Sequence, residues 1–323
     1  MQRLLSAFAA ALVAAAVLLA PAPPRAASIT IEARPVPLNG DDLQQTTVGK
    51  LKYRGGLMLT SPDGNFGGLS DLRVSQDGRR LIAVGDKGIR IAATLRYDAA
   101  GNLAGIKDGD LGQLTGLDGK ALRGRNDVDA EAMAPGAEGE IIVAFERDHR
   151  IWRYFPNNPV PEPIPPPDEL KHAPRNGGIE AMTLLSDGKL LLIAEDFGQG
   201  GRNVAWVSSK DGWSVLTYAV DGGYVPTGAA TLDNGDVLTI ERRFNLRSGA
   251  GGRIKRIAKE SIKPGGHLEG TVIAELQSPL TVDNFEGIEA RKDADGRTLI
   301  YLISDDNHNP LQRTLLLMFE LID

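Results

Sequence analysis

The stretch Gly178-Ile179-Glu180-Ala181-Met182-Thr183-Leu184, then Ser186-Asp187-Gly188, then Leu190-Leu191-Leu192-Ile193-Ala194-Glu195-Asp196, reads as a strand, a tight Asp-Gly turn and a second strand ending in acid. The pattern recurs along the chain. Ala130-Glu131-Ala132-Met133 leads through a turn at Glu138-Gly139 to Ile141–Glu146, and Glu131 precedes Glu146 by 15 residues, as Glu180 precedes Glu195. Upstream, Gly68-Leu69-Ser70-Asp71-Leu72 leads through Asp77-Gly78 to a strand ending at Asp86. Downstream, Thr227–Leu232 turns at Asn234-Gly235 and ends at Glu241, and Gly287-Ile288-Glu289-Ala290 turns at Asp295-Gly296 and ends at Asp305-Asp306. Further strand-like runs follow each copy, such as Asn203–Val207 and Trp213–Tyr218 after the third. Four short antiparallel strands, repeated at spacings of about 46 to 64 residues, make the unit of a β-propeller blade.

Five repeats are countable, so the expected fold is an all-β propeller of five or six four-stranded blades. The last repeat runs out of chain after Thr314–Phe319, one strand short. A strand from Gly49 to Thr60, or from Ile29 to Arg34, would close the ring. Pro156 to Pro167 holds seven prolines in twelve residues and belongs at an edge or in a loop, in place of the outer strand of the second blade. No stretch of the mature chain has convincing helical period.

Composition agrees with a chain that turns often: 38 glycines and 19 prolines in 323 residues, with 42% hydrophobic and 24% charged residues. The net charge of −6 argues against a nucleic-acid partner, since such proteins carry a basic excess. With no cysteine, thiol nucleophiles, disulfides and cysteine zinc sites are excluded. Neither a Gly-Xaa-Ser-Xaa-Gly elbow nor a phosphate loop occurs.

Residues 1–27 read as a signal peptide: Arg3, an apolar run from Leu4 to Ala20, then small residues and prolines to Ala27. The competing reading is an uncleaved membrane anchor. The expected mature protein, residues 28–323, is one acidic propeller domain, periplasmic or secreted and free of the membrane.

A propeller repeat places equivalent residues in rings around a channel. The first-strand ring is expected to hold Ser70, Glu131, Glu180, Gly228 and Glu289, and the second-strand ring Asp86, Glu146, Glu195, Glu241 and Asp305. Further acids and amides, including Asp127, Asp129, Asp283, Asn284 and Glu286, precede the first strands. Converging carboxylates repel one another unless a cation or arginines neutralise them. Oxygen donors with amides favour calcium or another divalent cation over zinc. The candidate metal ligands are therefore Glu131, Glu180, Asn284, Glu286, Glu289, Asp305 and Asp306. Arg147, Arg242 and Arg243 follow ring acids and are the competing neutralisers. Candidate proton-transfer residues are Glu131, Glu180 and two histidines, His149 and His308, each three residues past a ring acid.

Phe66-Gly67-Gly68-Leu69-Ser70-Asp71-Leu72, Val84-Gly85-Asp86-Lys87-Gly88, Asp129-Ala130-Glu131-Ala132, and Asn284-Phe285-Glu286-Gly287-Ile288-Glu289 with Ser304-Asp305-Asp306-Asn307 together resemble the phytase-like ("esterase-like activity of phytase") domain family. The resemblance covers about residues 48 to 321. It implies an exported propeller that hydrolyses phosphate or carboxylic esters, acting on a small anionic or ester substrate. The calcium-cluster motif of β-propeller phytases is not recognisable here. Glu286-Gly287 is also similar to the metal-binding glutamate of gluconolactonase-like propellers, which implies lactone hydrolysis instead. A non-catalytic propeller that binds a ligand or protein is the remaining alternative.

Overall fold

Five antiparallel sheets succeed one another along the chain, and the computed structural model describes them over residues 26–247 and 249–322. The leader expected at residues 1–27 falls, but for its last two residues, outside the described residues. Each sheet is a blade whose first strand lies innermost: Leu69–Val74, Ala130–Pro135, Ile179–Leu184, Val225–Thr231 and Asn284–Lys292. The second strands, Arg80–Gly85, Ile141–Phe145, Leu190–Gln199, Val237–Asn245 and Thr298–Asp305, pair against them through the Xaa-Gly turns. Helical structure among the described residues amounts to three 3-10 turns. The propeller has five blades, not six.

Ring closure uses both candidate segments. Leu51–Thr60 pairs with Thr314–Leu321 as the fourth strand of blade five, and Glu32–Pro35 adds outside it. The proline tract departs from expectation in one respect. Rather than replacing the outer strand of blade two, Asn158–Ile164 forms it, paired to Arg150–Phe155. Pro161 and Pro163 lie two residues apart, so both missing N–H groups fall on the unpaired side of an edge.

Alternation within each strand sends apolar side chains against the neighbouring blades. Blades two and three interlock through Ile142, Met182, Leu192 and Trp206, and blades four and five through Leu238, Phe285, Leu302 and Phe319. Leu72, Leu81, Tyr301 and Met318 close the seam between blades five and one. Trp206, Phe285 and Tyr301 are wholly buried, and each such side chain contributes roughly 1.5–3 kcal/mol by leaving water. These seams hold the inner strands parallel around the axis, which sets the geometry of the site.

Candidate functional site

All five inner strands carry a β-bulge at the same level. Pairing slips between Leu69 and Asp71, at Glu131, and between Ile179 and Ala181, Pro226 and Gly228, and Phe285 and Gly287. The extra residue in each blade is Ser70, Glu131, Glu180, Thr227 and Glu286. A bulge breaks the pleat and re-aims the inserted side chain, so three glutamates from blades two, three and five turn together. This corrects two expected ring members: Thr227 takes the place assigned to Gly228, and Glu286 the place assigned to Glu289.

The second ring is corrected as well. Gly85, Phe145, Ala194, Glu241 and Ser304 pair with the residue before each bulge, and the next residue in each blade is Asp86, Glu146, Glu195, Arg242 and Asp305. Blade four thus contributes an arginine to a ring of acids. Glu241 points the other way and is fully buried, paired to Arg253 at 2.5 Å and Lys255 at 3.0 Å, with the Tyr218 hydroxyl donating to it at 2.8 Å.

The rings meet at one mouth of the channel. Single oxygens of Asp129, Glu131 and Glu146 all lie within 4.8 Å of one another. Burial pushes Glu131 well above the usual carboxylate range, and Asp129, Glu146, Glu286 and Asp86 push it further. Glu180 is raised in the same way, by burial and then by Glu131, Glu195 and Glu146. Glu286 is pushed up to about 8 by burial, against the opposing pull of Arg242, and Asp305 to about 7, again chiefly by burial.

Arginine neutralises part of this charge. Arg242 pairs with Glu195 at 2.7 Å and Glu286 at 3.2 Å, and Arg147 pairs with Asp129. Glu146 accepts the Gly178 N–H at 2.8 Å, and Asn284 donates to Glu286 at 2.6 Å. Among the described residues no side-chain or backbone donor is bonded to the carboxylates of Glu131 or Glu180, and the second oxygen of Glu286, buried, lacks a hydrogen-bond partner. Eight carboxylates therefore face two arginines, with oxygen atoms left over. That donor set, hard and anionic, fits a divalent cation.

The remaining candidates are placed differently. Asp306 accepts the N–H groups of Gly68 and His308, each at 3.0 Å, so it shapes the loop beside Asp305, whose carboxyl its charge helps to raise. His308 reaches the rim, its Nε2 3.5 Å from Asp86. His149 bonds the Pro174 carbonyl at 2.9 Å and lies over Gly178, bracing the blade-three loop. Glu289 sits deeper in the channel beside Arg73 at 3.5 Å. Arg73 and Asp71 are a pair that motif reading passed over: the Arg73 guanidinium donates to the carbonyls of Leu72, Met182 and Ile288, tying blades one, three and five across the axis. Charged residues within an otherwise apolar inner strand are the signal that would have flagged them.

Backbone strain gathers at the same mouth. Of the four non-glycine residues with left-handed φ among the described residues, Arg147, Asn307 and His308 follow the second-strand ring acids.

Residues 64–308 match the Phytase-like family, described as esterase-like activity of phytase. The chain belongs to that family. No curated protein matches this phytase-like chain. Solved structures with similar shape include one assigned as a gluconolactonase, at 12% identity and TM-score 0.45, covering 90% of this chain and 94% of that one. A catalytically inactive virginiamycin B lyase from Staphylococcus aureus matches at 11% identity and TM-score 0.44, covering 91% and 100%. A protein of unknown function from Dyadobacter fermentans matches at 14% identity and TM-score 0.43, covering 90% and 91%.

Proposed function

We propose that this phytase-like propeller is an exported, divalent-cation-dependent hydrolase of phosphate or carboxylic esters. The cation is calcium by preference, held by Asp129, Glu131 and Glu146. One observation carries the reading: these three oxygens converge within 4.8 Å inside a ring whose acids outnumber its arginines. When bound, such a cation polarises the ester oxygen and lowers the pKa of a bound water.

The chain's own residues supply the rest. Burial, and then Glu131, Glu195 and Glu146, raise Glu180 well above the usual carboxylate range, which favours its protonated form. In that form it can give its proton to the leaving oxygen. Asp86 orients the His308 Nε2 at the rim, where imidazole can accept a proton from the attacking water. Arg242 holds Glu195 and Glu286 apart from the reaction as an ion-paired wall. The sequence pattern of residues 1–27 supports export to the periplasm or beyond.

The test is dialysis against chelator, followed by assays on a phosphate ester, a carboxylic ester and a lactone, with and without added calcium. Hydrolysis lost on chelation and restored by the cation is the expected result. A catalytically inert protein whose melting ignores both chelator and calcium would mark a binding propeller instead.

A further inference from the structure

We propose that Asp71 and Arg73 are positioning residues for the mouth acids. This one buried ion pair of blade one fixes how Glu131, Glu180 and Glu286 stand relative to one another. The proposal rests on the reading above, in which Glu131 helps to hold a cation and Glu180 gives a proton.

The contacts of the pair keep a single register. Asp71 is fully buried and Arg73 nearly so. The Arg73 guanidinium donates to the carbonyls of Leu72 at 2.7 Å, Met182 at 2.9 Å and Ile288 at 3.2 Å. One Asp71 oxygen accepts the Leu72 N–H and the other the Met133 N–H, each at 2.7 Å. Leu72, Met133, Met182 and Ile288 lie two residues past the bulged Ser70, Glu131, Glu180 and Glu286. About 7 Å of strand thus separates each held backbone group from the residue turned into the mouth. Blade four is hooked by a different bond: the hydroxyl of its bulged Thr227 donates to the Phe285 carbonyl at 2.9 Å, beside Glu286. The inner strands are close enough here that a Cβ on Gly287 would stand 2.9 Å from Asp71.

Glu131 and Glu180 belong to different blades, so their separation depends on what joins the two strands. The apolar seams do so without direction, and resist parting better than a small slide along the axis. Hydrogen bonds of fixed angle resist both. The joined path runs from the Met133 N–H through Asp71 and Arg73 to the Met182 carbonyl, two residues below each glutamate. Arginine suits the task because its planar fork donates in several set directions, which a lysine ammonium does not reproduce. Buried ion pairs are weak evidence of stability in themselves, whereas charged bonds to named backbone groups specify geometry.

The experiment compares wild type with D71N and R73K, and with L81A as a control. Leu81 is buried in the seam between blades five and one, at the end of its strand away from Asp86, so L81A lowers stability without touching the tie. Each protein is titrated with calcium by calorimetry below its melting temperature, then assayed on p-nitrophenyl acetate and p-nitrophenyl phosphate at saturating calcium. D71N, which offers one acceptor oxygen to two N–H groups, should bind calcium about tenfold more weakly, because it frees the strand of Glu131. R73K should keep calcium affinity within about threefold and lose about tenfold in kcat, because Glu180 then stands out of line with the cation. L81A should melt lower than wild type and keep both values. D71N and R73K that melt lower but bind and turn over as wild type does would make the pair a structural tie alone and overturn the proposal. An equal loss in L81A would do the same. A wild type that binds calcium and hydrolyses neither ester removes the hydrolase reading, and the D71N affinity then decides this proposal. A wild type that binds no calcium overturns both.

Discussion

Glu286 and Glu289 lie three residues apart on one inner strand yet belong to different structures. Glu286 is the bulged residue that joins the mouth acids beside Arg242, at 3.2 Å, whereas Glu289 meets Arg73 at 3.5 Å below them. A single register slip thus separates a candidate reactive ring from a buried tie across the channel.

Replacing Glu131 or Glu180 with Gln tests the ring. Glu131 is one of three converging oxygen donors; losing even a group that only orients a metal ligand typically costs about 10–100-fold in affinity, so losing a donor should cost at least that. Glu131→Gln should therefore lose the calcium-induced rise in melting temperature, and ester hydrolysis should fall by a similar factor. Glu180→Gln should keep most calcium binding and lose turnover, because it keeps the size of the side chain but not its transferable proton. Titration calorimetry alongside kinetics separates the two; equal loss of binding in both variants would contradict the division of roles.

Arg242→Met leaves Glu195 and Glu286 without their cation. Breaking a buried pair costs about 3–5 kcal/mol, and because a third of the Arg242 side chain meets solvent, about 2–3 kcal/mol is expected. Denaturant titration measures the loss. Calcium should restore part of it, since a second source of positive charge then enters the ring.

Stability should fall as pH rises. Burial lifts Asp71 to about 7 and Glu289 to about 7 in the folded chain, with Arg73 opposing in both. Unfolded carboxylates titrate near 4, so the folded state binds these protons more tightly. Their stabilising effect is complete below about pH 4 and is lost between there and about pH 7. The mouth acids Glu286 and Asp305 are shifted in the same sense. Melting in chelated buffer should therefore occur at higher temperature at pH 5 than at pH 8. Glu289→Gln should reduce that difference, and a rising profile would show that Arg73 outweighs burial.

Gly68→Ala probes the rim. An added Cβ would stand 2.2 Å from Asp86 and 2.8 Å from the His308 ring, at a residue whose φ is +60°. The left-handed backbone alone costs about 1–2 kcal/mol. The displaced Asp86–His308 pair should lower turnover further, while calcium binding at Asp129, Glu131 and Glu146 persists. Activity unchanged at saturating calcium would remove His308 from the reaction.

The propeller, its count to within one blade, the two segments that close the ring and the edge position of the proline tract were legible from turn residues and alternation, because those signals act between neighbours in sequence. The acid site was legible in outline: Glu131, Glu180, Glu286 and Asp305 do converge. Its membership was not, and the reason is specific. Gly287-Ile288-Glu289-Ala290 imitates Gly178-Ile179-Glu180-Ala181, but cross-strand pairing makes Phe285-Glu286-Gly287 the equivalent of Ile179-Glu180-Ala181. A bulge is set by which backbone groups the partner strand satisfies, and no local motif reports that. The same blindness exchanged Glu241 for Arg242, one residue on, and so hid the fact that blade four contributes positive charge to the ring.

The latch of blade five has a consequence for when the mouth comes into being. Leu57 pairs with Leu316, and the Gly68 N–H meets Asp306 across 238 residues of chain. The four main strands of each other blade lie close together in the chain, but the fifth blade needs a partner made long before it. Contacts of such separation form late, because the intervening chain must already be ordered to repay their closure entropy. The rim at Asp86 and His308 is built by that same final meeting. On the proposed hydrolase reading, the mouth would thus stay inactive until the last strand docked, and turnover would report completion of the ring.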